Sequence, residues 1–141
     1  MNEKKILSSI VKTVQMGQSG IRCVQNKATD PRLKSVLHDQ LKQYDLFEGQ
    51  AYDLAAQKGW KVTPLDPSVQ RMAAIMTRMR LMGGHRNSKI AGMLVQGNTK
   101  GMIKSLRDLN QASDCDPQVA ALAQNLVEHE RSNIRQATQF L

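Results

Sequence analysis

Aromatic residues make up only 4% of this 141-residue sequence, and no apolar run approaches the roughly 20 residues needed to cross a bilayer. Scarce aromatics beside eight methionines point to an aliphatic, adaptable core. The only two cysteines, Cys23 and Cys115, build neither a disulfide framework nor a zinc site and read as reduced thiols. Glycine-rich phosphate loops are missing too, since Gly83-Gly84 has neither the preceding strand nor the spacing. Cys23 has no evident base, and the serines and histidines have no positioned acid partner, so nothing supports nucleophilic catalysis and no enzyme is expected. Met1-Asn2-Glu3-Lys4-Lys5 leads into a short amphipathic pattern instead of a signal-peptide apolar region, which makes a cytoplasmic location the expectation.

Negative charge is absent from one long segment. Residues 67–107 contain Arg71, Arg78, Arg80, Arg86, Lys89, Lys100, Lys104 and Arg107 and no acidic residue, whereas residues 1–66 sum to +3 and residues 108–141 to −3. The whole excess of +8 therefore sits in that segment, where an anionic partner would bind. Arg71, Arg78, Arg80, Arg86 and Lys89 are the candidate contacts to nucleic acid or an anionic membrane surface. No base-stacking aromatics or nucleic-acid motif accompany them, so neither partner is favoured.

Prolines are few and placed with purpose. Three of four follow an aspartate: Asp30-Pro31, Asp66-Pro67 and Asp116-Pro117. Aspartate accepts the orphan N–H groups of a first helical turn, and proline at the next position loses no hydrogen bond. Each pair opens a stretch of helical apolar spacing. The pattern predicts helices over about 3–28, 31–59, 67–82, 88–112 and from 117 to the end, with the break at Gly83–Ser88 and Asn87 or Ser88 as cap. Whether 67–112 is one kinked helix or two stays open. Leu7, Val14, Ile21 and Ala28 form a seven-residue seam on the first helix, interrupted by Gly17 and Gly20, which often mark a close neighbour. The reading is all-α: a single domain, residues 1–141, forming an up-down four-helix bundle with an extra or kinked helical segment before the third core helix.

Two carboxylates interrupt apolar stripes. Glu48 lies seven residues from both Leu41 and Ala55, on what reads as the inner side of its helix, and Glu130 follows Leu126 and Val127 with His129 beside it. Buried carboxylates are costly unless paired or metal-bound, and dinuclear sites in helical bundles use a Glu on two helices and Glu-x-x-His on two others. That set is incomplete. No Glu-x-x-His occurs, and the first and third core helices supply no mid-helix carboxylate. A single-metal site at Glu48, His129 and Glu130 is the residual alternative.

Gly17-Gln18-Ser19-Gly20-Ile21-Arg22, followed by Asp30-Pro31-Arg32-Leu33-Lys34, resembles a bacterial ferritin-like family of unknown function. Its first helix reads Asp-Gly-Glu-x-Gly-aromatic and its second opens Asp-x-x-Leu-Lys. Leu94-Val95-Gln96-Gly97-Asn98 is similar to the Gly-Glu of the family's third helix. The resemblance implies a ferritin-like bundle, with Met16 and Gln18 where the family has Asp and Glu, and Asn98 where it has Glu. Amides keep packing and hydrogen bonds but bind hard cations weakly. Gln18, Glu48, Asn98, His129 and Glu130 are thus expected to form a vestigial or weak metal site, with no cofactor.

Met72, Met76, Met79, Met82 and His85 recur at helical spacing. Met76, Met79, Met82 and His85 form a candidate soft-metal stripe of the kind that suits Cu(I), although such stripes more often serve as core or as a partner-facing surface. The expectation is a non-catalytic bundle acting through self-association, as a homo-oligomer, or through protein contacts. The alternatives are a metal-binding protein and a binder of anionic partners through residues 71–107.

Overall fold

The computed structural model describes residues 3–112 and 114–141; Met1 and Asn2, from which the N-terminal pattern was read, lie outside them. Five helices follow in order: α1 (Glu3–Val24), α2 (Pro31–Gln57), α3 (Pro67–Arg80), α4 (Arg86–Gln111) and α5 (Pro117–Thr138). The three Asp-Pro signals work as predicted. Asp30, Asp66 and Asp116 each accept a hydrogen bond from the backbone N–H two residues on, with proline at the first helical position. Lys58 reaches from the end of α2 to the Asp116 carboxylate, and Glu3 accepts from the Asp116 N–H, so three helix ends meet at one cap.

Cross-links between helices fix the topology. Gln18 meets Asp45, Gln40 meets Gln136, Ser105 meets Glu130, and Ser9 meets Asp108. The α1–α2, α2–α5, α4–α5 and α1–α4 neighbours are consequently all antiparallel. The second and third core helices, α2 and α4, run in the same direction, so the chain must cross the length of the bundle between them. That crossover carries α3, which packs outside the four-helix core, on α1.

The core is aliphatic, led by Ile6, Leu7, Ile10, Ile21, Leu33, Leu37, Ile90 and Leu126, each essentially sealed from water. Its α4 contribution is unusual. The buried residues of α4 are Ile90, Ala91, Leu94, Asn98, Ser105 and Asp108, with half-buried Gly101 among them, so beyond Leu94 that helix's inner surface is small or polar. A stripe of that kind cannot fill the space a row of leucines would.

The predicted cap of α4 is corrected. His85, in the left-handed region at φ 60°, precedes the helix without a side-chain cap, while Gly83 at φ 93° makes the turn. Asn87 works elsewhere: its carbonyl oxygen accepts from the N–H groups of Thr29 and Asp30, and its amide donates to the Thr29 hydroxyl. The residues between Arg80 and Arg86 are not helical, so 67–112 is two helices. Lys89 Nζ donates to the Met82 carbonyl and closes the connection, a structural duty that sets it apart from the other candidate anion contacts.

Candidate functional site

The sequence-predicted metal residues separate into three groups. Gln18, buried in α1, donates to Asp45 and to Glu48, and Glu48 takes a further bond from Gln15. Glu48 is only half-buried, at the α1–α2 seam and not on the inner side of α2 as its spacing suggested. The second group is a polar layer between α2, α4 and α5. Tyr44 donates to Asn98 Oδ1 at 2.9 Å, Asn133 donates to the same oxygen at 3.0 Å, and the Asn98 amide donates to the Leu94 carbonyl. The other Asn133 proton points at His129 Nε2, 3.1 Å away. Burial pushes His129 down to about 4, so the ring is neutral and Nε2 is the acceptor. Its ring stands edge-on to Tyr44 and tilted against Phe47.

Glu130 forms the third group. Its side chain is fully buried, Oε1 accepts from the Ser105 hydroxyl at 2.9 Å, and Oε2 has no partner. Desolvation, with a smaller push from the Asp108 charge and partial relief from Ser105, raises its carboxyl to about 8. At neutral pH it is mainly the protonated acid. Burial and the proximity of Glu130 also hold the Tyr44 hydroxyl above its usual range, so it stays protonated.

Among the described residues, no group of three or more His, Cys, Asp or Glu side chains is placed to hold a metal. The structure does not bring Glu48, His129 and Glu130 together: the first is tied to α1 amides, the imidazole faces the Asn133 amide, and Glu130 lies against Ser105. The Met76, Met79, Met82 and His85 side chains all stand exposed on the outer surface of the crossover. Arg71, Arg78, Arg80 and Arg86 are exposed as well.

The α3 helix is turned inside out. Gln70, Ala73, Ala74 and Thr77 face the bundle, while Val69, Met72, Ile75, Met76 and Met79 face solvent, Met72 at 59% and Met79 at 66% exposure. At 100° per residue this outward arc has Arg71 and Arg78 along one flank and Arg80 along the other.

Behind α3 lies a cavity of about 280 Å³ between α1 and α4. Gly17, Gly20, Ile21 and Val24 line it from α1, Ile90, Met93, Leu94, Gly97 and Gly101 from α4, with Leu65 and Thr77 of the crossover and Glu130 of α5. Sequence reasoning did not foresee it, nor the hydrogen bonds of Tyr44, Ser105 and Asn133. The signal was present in the small and polar inward stripe of α4, and in the spacing Leu126, Glu130, Asn133, Ala137 on α5.

No protein-family model matches this chain, and neither a curated protein nor a solved structure does. No helix among the described residues is long and apolar enough to cross a membrane.

Proposed function

We propose that this protein is a non-catalytic, ferritin-like helical bundle that docks on an anionic membrane surface through α3. The single long crossover, which joins the parallel core helices α2 and α4, supports the ferritin-like reading, since bundles of that kind have one such connection. A neutral His129 whose lone pair faces an amide and a Cys23 thiol pushed up by burial support the non-catalytic part, because neither is an activated base or nucleophile.

The outward apolar face of α3 carries the proposal. Contiguous exposed apolar patches mark interaction surfaces. An apolar arc flanked on both edges by arginines suits the boundary between headgroups and acyl chains, where the guanidinium groups reach phosphate while the methionines enter the apolar layer. Pairing two copies through α3 would bring arginines together with no acidic residue anywhere in 67–107 to offset them. Nucleic acid offers no partner for the methionines.

Flotation with phosphatidylcholine vesicles, with and without phosphatidylglycerol, tests this. Binding is expected only with the anionic lipid and should fade as salt rises. It should be lost in Met72→Ser/Ile75→Ser/Met79→Ser and weakened in Arg71→Gln/Arg78→Gln/Arg80→Gln. Absence of binding, or binding indifferent to both variants, overturns it. A dimer abolished by the apolar triple variant would place a second copy on this face instead.

A further inference from the structure

The cavity behind α3 has a direction. Ser9 of α1 bonds Asp108 of α4 at one end of the antiparallel pair, and Thr29 meets Asn87 at the other. Interpolating between these cross-links puts Thr13 opposite Lys104, Gly20 opposite Gly97, and Val24 opposite Met93. One end of the cavity is accordingly lined by Lys12, Thr13, Lys104 and Glu130, and the other by Ile21, Val24, Ile90, Met93 and Leu94. The span from Thr13 to Val24 along α1 is about 16 Å at 1.5 Å per residue.

Two of the three buried side-chain oxygens or nitrogens without a hydrogen-bond partner among the described residues belong to this lining, and both lie at the polar end. They are Thr13 Oγ1 and Glu130 Oε2. Thr13 is 8% exposed and Glu130 fully buried. An unsatisfied buried polar atom costs about 1–3 kcal/mol, so two beside one cavity call for an occupant. The glycines at mid-cavity agree. Gly20 and Gly97 are both exposed, and a side chain built at either would meet nothing within 4 Å, so at mid-length the cavity is an open groove between the helices and not a close helix contact.

We propose that this cavity binds a monoacyl amphiphile with an anionic head, of the medium-chain fatty acid class. Its carboxylate lies at the polar end beside Lys12 and Lys104, which supply the countercharge; the Thr13 hydroxyl and Glu130 carboxyl, sealed from water in this structure, turn toward it to donate. Its chain lies along the glycines toward Ile90 and Leu94. Protonation of Glu130 at neutral pH makes it a donor and removes a charge that would repel the head. The volume falls just below the roughly 300–1,000 Å³ of small-molecule pockets, and the length suits a chain of medium size. A bulk lipid would not fit. This site is separate from the outward face of α3 and does not depend on its role.

The test is calorimetric titration of the full chain with decanoate below its micelle concentration, together with methyl spectra of the methionines. Saturable binding at one decanoate per chain is expected, tightening about fourfold per methylene from octanoate to decanoate. Gly97→Leu or Gly20→Leu, each filling space that is open, should weaken it at least about tenfold, the scale set by two to three buried methylenes. Thr13→Val should weaken it several-fold, and 1-decanol, lacking the charge, should bind less tightly than decanoate. In the unmodified protein, the Met16 and Met93 methyls should shift and those of Met72, Met76, Met79 and Met82 should not. Non-saturable uptake, binding unchanged in both glycine variants, or shifts confined to the α3 methionines would overturn the proposal. That last result would assign the amphiphile to the α3 surface.

Discussion

Glu130 on α5 places its Oε2 where a Cβ at Gly101 of α4 would have to stand. The glycine is what lets a carboxyl group lie flat against a neighbouring helix, and the Ser105 hydroxyl one turn further on holds it there. Gly17 and Tyr44 are related in the same way: the phenol ring lies over the α1 backbone in the volume a side chain would fill.

Gly101→Ala should therefore destabilise the fold. Alanine gains about 1 kcal/mol of helix propensity over glycine, but its Cβ would collide with Glu130 Oε2, and overpacking there costs about 1–3 kcal/mol and displaces the carboxyl from Ser105. In a Glu130→Ala background the collision is gone, and the same substitution should stabilise by about 1 kcal/mol. Urea denaturation of the four proteins in this cycle measures the coupling. A Gly101→Ala effect of the same size in both backgrounds would show that the two residues are independent.

Gly97→Ala and Gly20→Ala should each stabilise by about 1 kcal/mol, since both positions are helical and neither Cβ would touch a neighbour. Gly17→Ala, by contrast, should lower the thermal midpoint, because a rigid ring blocks it. Thermal unfolding of the three single variants checks the contrast in one experiment.

Stability should depend on pH in a characteristic way. Between 4.5 and about 8, folded Glu130 keeps a proton that the unfolded chain releases, so its contribution falls as pH rises, by up to about 1.4 kcal/mol per pH unit. His129 works in the opposite sense. From 6.5 down to about 4, the unfolded chain takes up a proton that the buried ring refuses, so stability falls as pH drops. The two slopes offset each other between 4.5 and 6.5, leaving a plateau there and a decline from 6.5 to 8. Glu130→Gln should remove that decline and expose the His129 slope below 6.5. Urea midpoints across this range would contradict the assignment if the unmodified protein were equally stable at 6.5 and 8.

Anaerobic titration with Fe(II), Mn(II) or Zn(II) should yield no stoichiometric complex at Glu48, His129 and Glu130. The double variant Glu48→Gln/Glu130→Gln should behave identically in metal content. Tight binding of any of these ions that the double variant lost would mean that the three groups rearrange to meet.

The helical architecture was legible in the sequence because its signals are local. An aspartate followed by proline fixes a first turn whatever surrounds it, and all three such starts fall where the sequence places them. The orientation of α3 was not legible. Periodicity identifies an apolar arc at Met72, Ile75 and Met79, but which way the arc turns depends on what the rest of the bundle leaves uncovered. Glu48 misled for a similar reason, since seven-residue spacing from Leu41 and Ala55 places it near the seam without saying which side of it. Asn87 had the composition of a cap and was drawn away by unsatisfied backbone in a loop distant in sequence.

The Asn87 contact also bears on how the chain reaches this structure. The turn between α1 and α2 spans a handful of residues, yet two of its backbone N–H groups are satisfied by a side chain from the start of α4. The first hairpin makes the backbone bonds of Lys27 and Ala28 to Val24 by itself and takes those of Thr29 and Asp30 from α4. That segment lies more than fifty residues further along the chain, beyond the crossover. Closing so large a loop carries an entropic cost before any contact offsets it. The hydrogen bonding of the first turn is thereby complete only once the third core helix has docked, which ties the most local connection of the bundle to one of its least local contacts.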